Sequence, residues 1–181
     1  RGAGPVGGTT MTLTTKKIPG DDMREHTGGI DTIVPLSPGA PAPGSKYDRL
    51  ISRAREARPP VTMVVHPCDE SSLRGAIEAA ELGIIEPVLV GPAAKITAVA
   101  RERGIDIGKH KIVDVPHSDA AAAKAVELIK AGQGELLMKG SLHTDELMRA
   151  VTASSTGLRT DRRISHVFVM DVPTYAETLF I

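Results

Sequence analysis

A hexad with the sequence Lys-Gly-Ser-Leu-His-Thr, beginning at Lys139, concentrates side chains that could bind an anion. Lys139 offers a positive charge, and Ser141 and Thr144 offer hydroxyl donors. His143 offers a donor or a proton carrier, and Gly140 allows the backbone to approach a ligand or to adopt a positive φ. An apolar segment precedes the hexad and a helical pattern follows it. The segment therefore predicts a phosphate-binding turn, with one of the two hydroxyls capping the helix.

Two features of the same segment favour an ordinary turn instead. Asp145 and Glu146 fall in the first turn of the predicted helix, where they would satisfy the helix dipole themselves. The sequence also lacks the glycine spacing of a P-loop, of a dinucleotide-binding turn and of a nucleophile elbow. From the residues alone, an anion site and a structural strand–turn–helix junction are equally supported.

Three other polar side chains follow predicted strands, namely His66, Cys68 and His117. Both histidines precede helices, and hydrogen-bonded structural roles are the simpler interpretation for them. Cys68 has no neighbouring base to make it a nucleophile, so it is best interpreted as a small buried residue.

A basic cluster, formed by Arg159, Arg162 and Arg163, lies later in the chain. A solvated loop is the default interpretation, and the cluster enters a predicted strand rather than leaving one. That places it at the wrong edge of the sheet if the strand is parallel. If the strand belongs to a second domain folded across a cleft, the guanidinium groups could face a phosphate-bearing ligand.

Strands and helices must position these residues, and the hydrophobic pattern predicts both. Apolar, β-branched runs predict five strands, at 61–67, 86–92, 110–118, 134–140 and 163–173. Helices are predicted at 46–57 and after each of the first four strands. Asp69 and Ser118 are predicted as N-caps, and Pro92 as the first residue of a helix. Gly83 and Gly104 are predicted to end helices. The strands are apolar along their whole length. This alternation predicts an α/β fold with a largely parallel sheet and helices on both faces.

The carboxyl ends of such strands form the edge where open α/β sheets bind ligands. The hexad and three of the six histidines follow predicted strands and would lie at this edge. Helix N-termini point to the same edge and favour an anion there.

Composition excludes several classes of function. The 181 residues carry 22 basic and 22 acidic side chains, so no net charge attracts the chain to nucleic acid or to a membrane surface. Two Tyr, two Phe and no Trp leave little for stacking bases. The single cysteine, Cys68, excludes an internal disulfide and a cysteine-based zinc site, and it is typical of a cytoplasmic protein. No apolar run is long enough to span a membrane.

The two ends of the chain suggest its organisation. Residues 1–45 are rich in Gly and Pro and predict a linker or the remnant of a preceding domain, with one alternating run, Thr10–Ile18, that could form a strand. Residues 46–181 carry the regular α/β pattern. Because the chain begins at Arg1 and stops in an apolar run at Ile181, we expect a fragment that is truncated within or before a second domain.

The segments LMKGSLHTDELMRAV and GLRTDRRISHVFVMDVP together resemble the phosphate acetyl/butyryl transferase family. Two earlier segments, VVHPCDESSLRGAIEAAELGIIEPVLVGP and IVDVPHSDAAAAKAVELIKAG, are similar to successive β-α units of that family. The resemblance covers about Tyr47 to Ile181. It is closest to the branch in which this domain follows an enoyl-CoA hydratase domain.

The resemblance implies a reaction and an architecture. The reaction is the reversible transfer of an acetyl or butyryl group between coenzyme A and inorganic phosphate, without a metal or a bound cofactor. The architecture is a two-domain α/β fold akin to isocitrate and isopropylmalate dehydrogenases, with the active site in the cleft and a homodimer as the usual assembly. Expected partners are therefore small-molecule substrates, with coenzyme A among them, and neither nucleic acid nor membrane.

The resemblance also implies site residues. In the hexad, Lys139, Ser141, His143 and Thr144 match a turn that lines the family's cleft, and Arg159, Arg162 and Arg163 match a segment near it. These residues are expected to bind phosphate or coenzyme A. The catalytic group is expected beyond Ile181, so this chain alone is expected to be inactive.

Three alternatives remain open at this point. A metal-dependent β-decarboxylating dehydrogenase would need paired aspartates for a divalent metal and a nicotinamide site, and the sequence shows neither pattern. An acyl-carrier-protein:phosphate acyltransferase has a similar fold and would need a basic docking surface. A non-catalytic module that senses coenzyme A or phosphate would need only the binding residues.

Overall fold

A computed structural model describes residues 45–172 and 174–181, which contain five α-helices and six β-strands. In chain order these are α1 (Lys46–Arg55), β1 (Val61–Val65), α2 (Glu70–Glu81), β2 (Glu86–Gly91), α3 (Ala93–Arg103), β3 (Lys111–Asp114), α4 (Ser118–Lys130), β4 (Leu136–Lys139), α5 (Thr144–Thr152), β5 (Val169–Met170) and β6 (Leu179–Phe180). The linker predicted at 1–45 and the strand predicted at Thr10–Ile18 lie outside the described residues, apart from Ser45, which caps α1. None of the described helices is long and apolar enough to cross a membrane.

The first four strands form one parallel sheet in the order β3-β2-β1-β4. β1 is central and pairs with β2 from Val61↔Glu86 onward and with β4 from Thr62↔Leu136 onward. β3 pairs with β2 from Lys111↔Val88 onward. The predicted α/β class with a parallel sheet is therefore confirmed for these four strands.

Helices cover both faces of this sheet. Alternate residues of a strand point to opposite faces, so the neighbours of successive β1 residues show which helices pack on each face. Met63 and Val65 of β1 belong to a core cluster with residues of α4 and α5. Val64, between them, belongs to a second cluster with residues of α2 and α3. All three side chains are at most 1% exposed. The prediction of helices on both faces is confirmed.

Most helix ends lie within a residue or two of their predicted positions. Asp69 caps α2 as predicted, and Gly104 ends α3 in the left-handed conformation, with φ of 62°. Two caps are displaced by one residue. Pro92 is the N-cap of α3 rather than its first residue, and His117, not Ser118, is the N-cap of α4.

The fifth strand predicted at 163–173 is wrong as a strand of the main sheet. Among the described residues of that range, Val169–Met170 alone forms a strand, and it pairs antiparallel with β6 in a separate two-stranded sheet. We call residues 167–172 and 174–181 the C-terminal hairpin. A local partner a few residues further along the chain is available to this apolar run, and periodicity cannot indicate which partner a strand selects.

The C-terminal hairpin also contacts α1. The ammonium group of Lys46 lies 2.8 Å from an Asp171 carboxylate oxygen and donates to the carbonyl oxygens of Val172 and Tyr175. The apolar side chains on both faces of the hairpin are nevertheless exposed, among them Phe168, Val169 and Phe180 at 56%, 55% and 64%. Ionic and polar contacts with α1 thus hold the hairpin in place while leaving its apolar surface open.

Candidate functional site at the β1–β4 crevice

The carboxyl ends of β1 and β4 lie where the strand order of the sheet reverses. The chain builds outward from β1 through β2 to β3 and then returns to the other side of β1 as β4. The helix after β1, α2, packs on one face, and the helix after β4, α5, packs on the other. Diverging connections of this kind open a crevice outside the strand ends, where open α/β sheets bind ligands. His66 follows β1 and the hexad follows β4, so both lie at this crevice.

Gly140 brings the backbone of the hexad directly against the end of β1. Its N–H donates to the carbonyl oxygen of Val65 at 2.9 Å, and the next N–H, of Ser141, donates to the carbonyl oxygen of His66 at 2.9 Å. A Cβ atom at position 140 would lie 2.6 Å from that His66 oxygen, a distance that real Cβ atoms essentially never show. The glycine is therefore required for a close backbone approach, and what it approaches is β1 of the same chain.

His66 has a strained backbone conformation that its neighbours hold in place. Its φ of 56° is the only positive φ of a non-glycine residue in the described part of the chain. Its N–H donates to the carbonyl oxygen of Val90 at 2.7 Å, and its own carbonyl oxygen accepts from the N–H groups of Cys68 and Ser141 and from the Ser141 hydroxyl. The left-handed region costs a non-glycine residue roughly 1–2 kcal/mol. Such strain persists where surrounding contacts over-determine the backbone, and it clusters at functional sites.

The Ser141 hydroxyl is fully occupied within this turn. Its Oγ donates to the His66 carbonyl oxygen at 2.7 Å, accepts from the Cys68 N–H at 3.2 Å and lies 3.1 Å from Nδ1 of His66. A hydroxyl has one hydrogen and two lone pairs, so these three contacts use its full capacity. Ser141 therefore ties the ends of β1 and β4 together, and its predicted contact with a ligand stays a prediction.

Lys139 folds its side chain over the hexad. The ammonium group donates to the carbonyl oxygens of Gly140 at 3.2 Å and of Leu142 at 2.8 Å. An ammonium group has three N–H donors, so one remains for another acceptor. Lys139 thus stabilises the turn and keeps a positive charge at the crevice.

Burial favours the neutral forms of His66 and Cys68 near neutral pH. Burial lowers the pKa of His66 and the charge of Lys95 lowers it further, against the opposing effects of Glu146 and Asp69. Burial raises the pKa of the Cys68 thiol. The crevice therefore presents a neutral imidazole and a protonated thiol.

His143 and Thr144 begin α5, and the cap of that helix differs from the prediction. His143 is the N-cap residue, and its N–H donates to a carboxylate oxygen of Glu146 at 3.0 Å. Neither Ser141 nor Thr144 caps the helix, because the Ser141 hydroxyl is bound to the β1 turn and Thr144 is already the first helical residue. The side chains of His143 and Thr144 are exposed, and their predicted contacts with a ligand stay predictions.

The three arginines of the basic cluster lie together but apart from the hexad. Arg159, Arg162 and Arg163 line a cavity of about 600 Å³ that also includes Thr152 at the end of α5. Within residues 45–172 and 174–181, none of their guanidinium groups forms an ion pair or a hydrogen bond, and no hexad residue lines their cavity. The structure thus brings the three charges together without joining them to the β1–β4 crevice.

His117 and His66 both have hydrogen-bonded structural roles, as the sequence predicted. Nδ1 of His117 accepts the Ala120 N–H at 3.2 Å and so caps α4. His66 was also expected to be structural, and its contacts with Ser141, which join the ends of β1 and β4, are of that kind. Its partner lies 75 residues away along the chain, so no local pattern could have indicated this contact. Within the described residues, no group of three or more side chains is arranged to hold a metal ion.

Comparisons with known proteins identify relatives for most of the chain, although no family model matches it. A phosphate acetyltransferase from Rhizobium meliloti is 70% identical over 141 residues, which is 78% of this chain and 45% of that protein. A phosphate acetyltransferase from Rickettsia felis is 49% identical over 132 residues, 73% of this chain and 38% of that protein. A phosphate butyryltransferase from Clostridium beijerinckii is 33% identical over 135 residues, 75% of this chain and 45% of that protein. The chain therefore spans less than half the length of these curated relatives.

Proposed function

This chain has phosphate acetyltransferases and phosphate butyryltransferases as its homologues, and from that premise we propose that the protein is a phosphate acyltransferase. The proposed reaction is the reversible transfer of a short acyl group, acetyl or butyryl, between coenzyme A and inorganic phosphate. The observation that carries the proposal is the 70% identity over 141 residues with the Rhizobium meliloti enzyme. The protein would act as a cytoplasmic homodimer with its site in a cleft between two α/β domains.

The crevice supplies groups that phosphate binding requires. The free N–H of Lys139 and the exposed side chains of His143 and Thr144 are the proposed phosphate contacts in the hexad. Charge-assisted hydrogen bonds to phosphate are stronger than neutral ones. Ser141 would contribute by holding the turn, since a ligand could reach its hydroxyl only by replacing one of its three present contacts.

The arginine cavity supports the second half of the proposal. Coenzyme A carries a diphosphate and a 3′-phosphate, and unpaired guanidinium groups bind such groups with two parallel hydrogen bonds. Arg159, Arg162 and Arg163 are the proposed contacts for these phosphates. Two anion sites, one for inorganic phosphate and one for the nucleotide end of coenzyme A, suit a reaction that joins both substrates.

Binding, rather than proton transfer, is the role proposed for the hexad. Lys139 is engaged with backbone carbonyl oxygens and Ser141 with the β1 turn, so neither is placed to remove a proton from the thiol. Holding phosphate and acyl-CoA in a reactive geometry is by itself a large contribution to the rate. The group that generates the thiolate is expected beyond Ile181, as the family resemblance implies.

The names of the relatives favour this reaction over the alternatives. Those reported above are acetyl- and butyryltransferases that act on phosphate, and none of the three is named for an acyl carrier protein. A carrier protein as substrate, or a purely sensory role, is therefore not proposed.

A kinetic assay tests the proposed function. The protein as its gene encodes it is mixed with acetyl-CoA or butyryl-CoA and phosphate, and thiol release is followed with a chromogenic reagent. Arg159→Ala is expected to raise the KM for acyl-CoA about tenfold or more, because it removes a charge-assisted hydrogen bond. Arg58→Ala is the matched control, since Arg58 is an exposed arginine paired with Glu135 at the opposite edge of the sheet. Absence of phosphate-dependent thiol release with either acyl group would refute the proposed function.

A further inference from the structure

The fold fixes the orientation of the His66 side chain, but the described residues form a hydrogen bond with only one of its two ring nitrogens. Its Nδ1 lies 3.1 Å from Ser141 Oγ, whereas no hydrogen bond from the described residues reaches its Nε2. The residue is half-buried, and Nε2 is not among the polar atoms sealed away without a partner. One ring nitrogen is therefore held by the protein, and the other remains open to a ligand.

The Ser141 hydroxyl determines which ring nitrogen carries the hydrogen. The single hydroxyl hydrogen is donated to the His66 carbonyl oxygen at 2.7 Å, so the contact at 3.1 Å requires Nδ1 to be the donor. Burial and the charge of Lys95 both lower the pKa of His66, which keeps the ring neutral. A neutral imidazole with its hydrogen on Nδ1 has a lone pair at Nε2. His66 thus presents a hydrogen-bond acceptor to the crevice.

The surrounding charges indicate what kind of donor this acceptor would meet. Among the charged groups that act on His66, Lys95 lowers its pKa more than either Glu146 or Asp69 raises it, and the Lys139 ammonium at the hexad lowers the pKa of Asp69. An anion that also carries a hydrogen suits both the acceptor at Nε2 and these positive charges. Monohydrogen phosphate is such an anion, with three acceptor oxygens and one O–H.

We propose that Nε2 of His66 accepts a hydrogen bond from the protonated oxygen of inorganic phosphate and so positions this substrate at the β1–β4 crevice. The inference rests on the proposed function, which makes phosphate a substrate. The Lys139 ammonium, which has one N–H beyond its two contacts with the hexad, is the proposed partner for the remaining phosphate oxygens. The thiol of coenzyme A is the competing donor, but an S–H is a weak donor and does not use the two positive charges.

Two substitutions separate the imidazole's contact with Ser141 from its contact with phosphate. In His66→Asn the side-chain amide can still donate to Ser141 and tolerates the left-handed backbone, but it does not extend to the position of Nε2. In His66→Gln the amide oxygen reaches about as far as Nε2 and can accept in its place. His110→Asn is the matched control, because His110 lies just before β3, at the opposite edge of the sheet.

The experiment measures phosphate binding and kinetics on the protein as its gene encodes it. Calorimetric titration with inorganic phosphate is expected to show binding weakened about tenfold in His66→Asn, less in His66→Gln and not at all in His110→Asn. In the assay, the KM for phosphate should rise by the same factor in His66→Asn while the KM for acyl-CoA stays unchanged. Thermal unfolding midpoints are recorded for each variant, so that a folded His66→Asn protein is established before its affinity is interpreted.

Several outcomes would overturn the inference. A folded His66→Asn variant with wild-type affinity for phosphate does so directly. A rise in the KM for acyl-CoA instead of phosphate would show that His66 faces coenzyme A, and equal rises in both would show a purely structural role. Titration with phosphate needs no acyl transfer. His66-dependent binding without thiol release would therefore refute the proposed function alone, while thiol release that is insensitive to His66 would refute this inference alone.

Discussion

Gly140 sets the distance between the two strands that form the crevice. A methyl group at this position would meet the carbonyl oxygens of Val65 and His66, which are backbone atoms and cannot rotate away. The contact with His66 would be 2.6 Å, so β4 would have to move away from β1. The consequence is a loss of both stability and site geometry.

We expect Gly140→Ala to lower the free energy of unfolding by about 1–3 kcal/mol, the usual cost of overpacking. Gly75→Ala is the matched control, because Gly75 lies inside α2 with no atom within 4 Å of an added Cβ. That substitution should stabilise the protein by about 1 kcal/mol, since alanine is the better helix former. Chemical denaturation of both variants measures the difference. Equal stabilities would show that the close approach at Gly140 is relaxed in solution.

His110 is a residue whose stability contribution depends on pH. Its Nε2 is buried without a hydrogen-bond partner among the described residues, and burial, together with Lys109, lowers its pKa. A histidine with a lowered pKa is protonated first in the unfolded chain. Acidification through the ordinary histidine range therefore favours unfolding.

We expect His110→Phe to stabilise the protein by about 1 kcal/mol at neutral pH, because it removes an unsatisfied buried nitrogen. The variant should also lose less stability than the wild type between neutral pH and mildly acidic pH. His66 has a lowered pKa too, so part of the dependence should remain. Denaturation midpoints at both pH values test this, and a variant with the wild-type pH slope would contradict it.

At the scale of the helices, Asp69 is the N-cap of α2, and the ionisation of its carboxylate makes the stability of the protein depend on pH in the acidic range. Its Oδ1 accepts from the Ser72 N–H at 2.8 Å, from the Ser72 hydroxyl at 2.6 Å and from the Ser71 hydroxyl at 3.2 Å. Burial alone would raise the pKa of Asp69, but these hydrogen bonds and the charge of Lys139 bring it below its ordinary value. A depressed pKa means that the stabilisation is present near neutral pH and is lost as pH falls through the folded-state pKa.

We expect Asp69→Ala to cost about 1 kcal/mol at neutral pH, the usual value of an N-cap. Asp69→Asn keeps an acceptor for the Ser72 N–H and cannot titrate. It should be less stable than wild type by a few tenths of a kcal/mol at neutral pH, and this deficit should shrink under acidic conditions. Unfolding curves across the acidic range provide the measurement, and a deficit that stays constant with pH would count against the cap.

The elements that the sequence predicted well share a local cause. The strands at 61–65 and 86–91 are continuous apolar runs next to turn residues, and the capping role of Asp69 follows from its position before a helical pattern. The prediction of a fifth strand in the main sheet was wrong because this segment pairs with Leu179–Phe180, and hydrophobic periodicity does not indicate which strand another strand pairs with. His143 was missed as a cap because a Ser and a Thr lay beside it in the hexad. The sequence indicated that the hexad follows β4 at the carboxyl edge of the sheet, and its ligand contacts stay predictions; the contact between His66 and Ser141 spans 75 residues, which no local pattern indicates.

At the scale of the whole molecule, the C-terminal hairpin is an apolar surface that the described residues leave uncovered. In the C-terminal hairpin, Phe168, Val169, Phe180 and Ile181 are all more than half exposed, on both faces of the ribbon. Exposed apolar edges of this kind pair with other chains or bind other apolar surfaces. Self-association of this chain through the hairpin is the expected behaviour.

We expect Phe180→Lys to reduce both the binding of an apolar fluorescent dye and the concentration-dependent light scattering of this chain, without lowering its stability. The side chain is 64% exposed, so little packing is lost. Thr174→Lys is the control, since it adds the same charge in the hairpin region without removing apolar surface. Equal reductions in both variants would attribute the effect to net charge instead of the hairpin.

The position of β4 beside β1 has a consequence for how the protein folds. β2 comes soon after β1 along the chain, whereas the contact between His66 and Ser141 spans 75 residues. The entropy cost of closing a loop rises by about 0.6 kcal/mol for each doubling of its length, and distant pairings form late. β1, β2 and β3 would therefore assemble before β4 arrives. The strained turn at His66 can be locked only when the last strand of the sheet docks, so a partly folded chain would contain most of the core and no crevice.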